Sequence, residues 1–166
     1  MAKQLLGKPT GLLKPTLQAR PEPADTASPA WPAAELALPE AKPKRFDSAG
    51  LHAALAHYHA TENWYRHGLV KSMLYTDGVQ CFAENGGDHG AYWFLDIVAT
   101  EYWPLLSRQP FLVVELSVGD QKSAVIKVDD GNGRVITTRQ ISYTDMQPGD
   151  WRFFLTDNVL LLPGEY

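Results

Sequence analysis

Cysteine is almost absent from this chain of 166 residues: Cys81 is its single thiol. One thiol excludes an internal disulfide and any cysteine-rich zinc site, and it fits a reducing compartment. Within an expected helix, such a thiol reads more readily as a small buried hydrophobe than as a nucleophile. Long apolar runs are missing too. Lys3 precedes only Leu5 and Leu6 before Gly7, Lys8 and Pro9 intervene, so no signal-peptide core forms and nothing reaches membrane-spanning length. A cytoplasmic protein with no membrane partner is expected. No glycine-rich loop follows a strand and opens a helix, which removes a nucleotide-fold reading. His52, His57 and His59 share one expected helix, yet no pair has the three- or four-residue separation that lets two rings reach one ion. They read as solvated or capping side chains, with His67 and His89 able to join only from elsewhere. No metal and no cofactor is expected.

Charge and proline divide the chain in two. Residues 1–45 hold eight of the twelve prolines and nine alanines, with seven basic against four acidic residues; residues 46–166 hold eight basic against fifteen acidic. Apart from Trp31, leucines are the only large apolar residues of the leader, so it cannot bury enough surface to offset its ordering entropy and is expected to be disordered or extended. It contains a two-copy pattern, Leu5-Leu6 then Lys8-Pro9-Thr10, and Leu12-Leu13 then Lys14-Pro15-Thr16. Low-complexity drift explains such a repeat; the sharper reading is a pair of docking motifs with leucines entering an apolar groove. The segment 30–38, with Trp31 and Pro32, has the form of a short marginal helix. Residues 46–166 are expected to form one domain, and its acidity makes nucleic acid a poor partner, because duplex affinity rests on Lys and Arg neutralising phosphates.

The domain is organised around the stretch 61–100. Asp47 is placed to cap a helix with Phe46 as its hydrophobic staple, and Leu51, Ala54, Leu55 and Tyr58 would make that helix's buried stripe. A short edge strand or loop at 63–67 would put Trp64 inward and Arg66 outward, and 71–75 is apolar enough for a strand. Thr76 or Asp77 then caps a second helix carrying Val79, Phe82 and Ala83, which Gly86-Gly87 stops. Asp88 can start the next. Ala91, Phe94, Leu95, Val98, Ala99 and Tyr102 keep one helical face through to Pro104, which ends or bends the helix. From residue 111 onward five apolar-alternating segments are separated by turn chemistry at Gly119-Asp120, Asp130-Gly131-Asn132-Gly133, Gln147-Pro148-Gly149-Asp150 and Thr156-Asp157-Asn158. The expectation is α+β: an antiparallel β-meander of about five strands packed on two to three helices, with Leu112, Val114, Leu116, Val118, Ala124, Ile126 and Val128 facing them.

The order ENWYRH, LYTDGV, FAENGG, GAYWFLD and LLLPGEY resembles an uncharacterised bacterial family of short proteins, a domain of unknown function, over residues 49–166. Its more specific pieces are YTDGV and AYWFLD, and the chain departs from the pattern where Gly86-Gly87-Asp88-His89 lengthens the link into GAYW. The resemblance implies an association with phages, plasmids and other mobile elements. It carries no catalytic residue.

Two functions compete. A non-catalytic protein-binding accessory or regulatory module would use Trp64, Tyr65, Arg66 and Trp93, since Trp, Tyr and Arg concentrate in binding hot spots, with Leu5, Leu6, Leu12 and Leu13 as tail docking residues. Its partner would be a protein. The alternative is an acid–base enzyme acting on a small anionic substrate through Arg66, His67 and Asp96, with Asp77 nearby. Each residue also has a structural reading: Arg66 pairing with a carboxylate, Asp96 exposed or held by Arg66, His67 or a tyrosine. A third expectation is a homo-oligomer joined along an exposed strand edge.

Overall fold

The computed structural model describes residues 46–166, so the leader, with Leu5, Leu6, Leu12, Leu13 and the segment 30–38, lies outside the described residues. Helix α1 (Ser48–Leu55) starts where Asp47 accepts a hydrogen bond from the Gly50 amide at 2.7 Å, which satisfies one of the free donors of the first turn. A two-residue hairpin follows, β1 (Tyr65–Arg66) and β2 (Leu74–Tyr75), then α2 (Asp77–Asn85) and α3 (Tyr92–Ile97). Five further strands complete the sheet: β3 (Phe111–Val118), β4 (Ala124–Asp129), β5 (Val135–Ile141), β6 (Gly149–Thr156) and β7 (Val159–Leu161).

The class is α+β, with a seven-stranded sheet ordered β1-β2-β7-β6-β3-β4-β5 in which only the β2/β7 pair is parallel. Strands β3, β4 and β5 follow one another edge to edge, as a meander requires. Strand β6 does not continue the series. It returns to the free edge of β3, so Gln147-Pro148 ends a crossing connection and Gly149-Asp150 begins β6, where a hairpin turn was expected. That connection is partly buried: Thr144, Met146 and Gln147 are each at most 4% exposed. By contrast Asp157-Asn158, both at positive φ, do make the tight β6/β7 turn, the backbone twist that matches two right-handed strands.

Leu112, Val114, Leu116, Val118, Ala124, Ile126 and Val128 are all buried on the face that receives the helices. Phe153 lies at the centre, 4.8 Å from the ring of Phe82 in α2 and 4.9 Å from Phe94 in α3, and all three are fully buried. Edge and tilted contacts of this kind add to the area term that holds the two layers together.

The expected long third helix changes geometry as it runs. After Ile97 the helix widens through a π turn (Val98–Tyr102), in which the Trp103 amide reaches back to the Val98 carbonyl, and then tightens into a 3₁₀ turn (Trp103–Ser107). Pro104 has no amide to donate, so a regular ladder cannot pass through it. Val98, Ala99 and Tyr102 stay buried through the change, while Glu101 reaches out to pair with Arg139 of β5.

Candidate functional site

The end of the sheet formed by β1 and β2 is held by side chains that reach far along the sequence. Thr76 is the residue before α2, but its hydroxyl gives no cap; it donates instead to Glu165 Oε2 at 2.5 Å. Glu165 Oε1 accepts from the Gly78 amide at 3.0 Å, and Oε2 also from the Leu162 amide. The helix is therefore capped by a carboxylate 87 residues away, favourably placed against the positive end of its dipole. Residue 78 is glycine because a Cβ there would lie 2.5 Å from Leu162 and 2.9 Å from that carboxylate.

Asp77, expected as a cap or as a catalytic carboxylate, instead organises the preceding loop. Its Oδ2 accepts from the Glu62 and Asn63 amides at 2.8 and 2.9 Å, and its Oδ1 from Asn63 Nδ2 and the Tyr65 hydroxyl at 3.2 and 3.1 Å. The Asn63 amide foremost, opposed by the cost of burial and aided by the other donors, holds this carboxyl down at about 2. It stays ionised and makes no approach to a proton donor of useful strength. Tyr65 is fixed by the same bond and stacks on Tyr75 with ring centroids 5.5 Å apart, and the bond to Asp77 raises its phenol above the usual tyrosine range.

His67 and Asp96 do meet: His67 Nε2 lies 3.1 Å from Asp96 Oδ1. The remaining contacts of the ring decide what the pair can do. Nδ1 accepts from the Leu69 and Val70 amides, at 3.3 and 3.1 Å, so the proton of the ring sits on Nε2 and is donated to Asp96. His67 is 4% exposed and bridges the β1/β2 turn to α3, whereas the Asp96 side chain is 54% exposed. Arg66 does not join them. Its guanidinium donates to the Lys71 carbonyl and so closes the hairpin locally.

Trp64, expected to point inward, is 57% exposed, and Arg66 lies exposed two residues on, as the two-residue period of a strand requires. Tyr65 takes the inward position. Trp93 is partly buried and meets Phe94 edge-on at 6.2 Å, while its neighbour Tyr92 is 42% exposed. Tyr92 accepts from Gln80 Nε2 at 2.9 Å, and the same amide holds Glu84 at 2.6 Å.

Between these side chains lies a cleft of about 480 Å³ lined by Tyr58, Glu62, Tyr65, Asp77, Gln80 and Glu84 among others. Cys81 is at its base, where a hydrogen bond to it, followed by burial, pushes the Tyr58 phenol up to about 12. Among the described residues no Lys or Arg pairs with Glu62, Asp77 or Glu84. Gln80 Oε1 is buried and accepts no hydrogen bond from the described residues. Among the described residues the cleft is a set of acceptors and phenol rings with no positively charged donor.

Three residues to which the sequence assigned no site role hold this region in place. Glu165 has been described. Gln147 donates to the Phe46 and Asn85 carbonyls and accepts from the Gly87 amide, and Asp145 accepts from the Asp88 and His89 amides. Asp145 thus satisfies amides of the chain between α2 and α3, while α3 itself starts after Ala91 with no side-chain cap; burial of Asp145 is outweighed by the His89 ring and these amides, which hold its carboxyl below the usual range. Gly87 adopts φ +75°, and a Cβ on it would lie 2.7 Å from Asp145. No three His, Cys, Asp or Glu side chains among the described residues converge as metal ligands, and no helix among them is long and apolar enough to cross a membrane.

A family model described as a family of unknown function, DUF6876, matches residues 49–166. No curated protein and no solved structure matches the chain.

Proposed function

The chain belongs to the DUF6876 family, whose function is unknown, and from the site alone we propose that its domain is a non-catalytic module that binds a protein partner through the cleft face of α2 and the β1/β2 hairpin. The observation that carries this reading is a cleft whose carboxylates meet no cation among the described residues, with the exposed Tyr92 bonded to Gln80 of its lining and the exposed Trp64 standing in sequence between the lining residues Asn63 and Tyr65. Exposed Trp and Tyr rings are enriched in binding hot spots, and acidic groups beside them select a cationic partner. The partner segment that fits is a peptide carrying Lys or Arg beside an apolar residue: the cation meets Glu62, Asp77 and Glu84, and the apolar residue meets Trp64. Leu69, 72% exposed at the hairpin turn, extends the apolar surface.

The acid–base alternative draws less support. It needs His67 to take up a proton, and protonation at Nδ1 would cost both hydrogen bonds that hold the hairpin turn. Arg66, the expected anion grip, is occupied by a backbone carbonyl. An accessory or regulatory role in a bacterial cytoplasm, in a mobile-element setting, belongs to the proposal and rests on the family resemblance. Tryptophan fluorescence titration tests the binding reading with two model peptides, one carrying Leu and Arg and one carrying Leu and Glu at the same positions. The Arg peptide is expected to bind at least about tenfold tighter, and Trp64→Ala or Tyr92→Ala to weaken it about tenfold with an unchanged thermal melt. Equal affinity for the two peptides, or none for either, ends the reading.

A further inference from the structure

Four positions of the chain set an aspartate or asparagine before a glycine: Asp77-Gly78, Asn85-Gly86, Asp130-Gly131 and Asn132-Gly133. Such a pair is chemically labile, because glycine has no side chain to keep its backbone nitrogen away from the preceding side-chain carbonyl carbon, and the two can close a five-membered imide. A fold protects the pair when it ties the glycine N–H to an acceptor. In three of the four it does. The Gly78 amide donates to Glu165 Oε1 at 3.0 Å, the Gly86 amide to the Phe82 carbonyl at 2.8 Å, and the Gly131 amide to Asp129 Oδ1 at 2.8 Å. Asn85 is held further, being buried with its Nδ2 donating to the Cys81 carbonyl at 2.8 Å. Gly133 differs. Its amide and the Asn132 side chain make no hydrogen bond among the described residues, and both residues are exposed in the bend that joins β4 to β5. Asp130 Oδ1 accepts from the Asn132 and Arg134 amides, at 2.9 and 3.1 Å, and passes over the one between them. A Cβ on Gly133 would meet nothing within 4 Å, so the space beside its backbone is open.

We infer that Asn132 is a site of spontaneous deamidation, with water as the co-reactant, and that the fold shields Asn85 from the same reaction. The Gly133 nitrogen gives its proton to a base in the solvent and bonds to the Asn132 side-chain carbonyl carbon. The Cγ–Nδ2 bond breaks, and the nitrogen leaves as ammonia after taking up a proton. Water then adds to one of the two imide carbonyl carbons and the C–N bond there breaks, giving aspartate or, where the main chain is rerouted through Cγ, isoaspartate. One ammonia leaves for one water consumed, nothing is oxidised or reduced, and the chain gains a negative charge over its formal −4. At Gly86 the same attack would first have to break the bond to Phe82 and draw Asn85 out of the core. Isoaspartate would also change the bend itself. It inserts a backbone carbon between the Asn132 and Arg134 amides, so Asp130 can no longer hold both, and it sets a third carboxylate beside Asp129 and Asp130.

Peptide mass spectrometry separates the two asparagines. Trypsin cuts after Lys71, Arg108, Lys127 and Arg134, so Asn85 is read in the peptide 72–108 and Asn132 in the peptide 128–134, which holds no other side-chain amide. The full chain is aged in mildly alkaline buffer, folded or in urea, and digested beside an unaged sample that sets the zero. From the folded chain, peptide 128–134 should gain about one dalton, split into two chromatographic forms, at least about tenfold faster than 72–108 gains it. In urea both glycine amides are free, and the two rates should come within about threefold of each other. Asn132→Gln, whose longer side chain would have to close a six-membered ring, should lose the gain in 128–134 with an unchanged thermal melt. Absence of the gain in the wild type, equal rates in the folded chain, or a gain that persists in Asn132→Gln overturns the inference. So does a tenfold difference that survives in urea, because the flanking residues and not the fold would then set it.

Discussion

The two ends of the sheet are stabilised by opposite means. Around β3, β4 and β5 the ladder is long and local, with six paired positions between β3 and β4, a single bulge at Ile136 of β5 and a short turn at each end. Around β1 and β2 the strands are only two residues each, and the region depends on carboxylates and amides recruited from distant parts of the chain: Asp77, Asp145, Gln147 and Glu165. Regular pairing at the first end frees its side chains and one backbone edge to face outward. At the second, most polar side chains are consumed in holding loops, and what is left exposed is aromatic or acidic.

Substitutions can separate the ends. Phe153→Ala empties the centre that both share, and should cost about 3–5 kcal/mol in denaturant unfolding while leaving neither end folded without the other; loss of one end alone would mean that the core is not common to them. Glu165→Ala removes the cap of α2 and strands a partly buried amide, an expected loss of about 2 kcal/mol. Amide exchange should then accelerate at Gly78 and Leu162 but not along β3 and β4, and uniform acceleration would contradict the division. The smallest effect concerns Asp77. Its folded carboxyl is depressed to about 2 from a usual 3.8, so it contributes stability that is complete above pH 4 and is lost as the pH falls toward 2. Because the group is open to solvent, about 1 kcal/mol is expected rather than the full value of the shift. Asp77→Asn should flatten the acid limb of stability measured by urea titration, and an unchanged limb would show that the loop is held by other bonds.

How far the sequence could be read follows the same divide. Strand alternation named every inward residue of β3 and β4, and the Asp157-Asn158 turn was visible in its residue types, because these depend on neighbours two to four positions away. Asp47 was legible as a cap for the same reason. Glu165 was not, since nothing near residue 165 announces that its partner is Gly78. The crossing of β6 to the edge of β3 was hidden because residues 147–150 have the chemistry of a tight turn and only tertiary packing shows that they do not make one. Trp93 was read as a surface anchor, and Trp64 both as a binding residue and as an inward residue of its strand; the structure turns Trp93 partly inward and Trp64 outward, because a two-residue strand sets its facing by which neighbour stacks, here Tyr65 on Tyr75. At the site, His67 was one of several partners offered for Asp96 beside plain exposure, and both the choice among them and the double acceptance at Nδ1 that defines the pair depend on backbone geometry no residue pattern records.

The distant cap on α2 also bears on the order in which the molecule assembles. A chain leaving the ribosome presents residues 76–85 long before residue 165 has been synthesised, so the first turn of that helix must wait with water in place of its carboxylate cap. The hairpin and cleft that rest on it are then among the last parts to become firm, and a nascent chain halted short of Glu165 would carry a formed β3/β4 ladder beside an unfinished cleft.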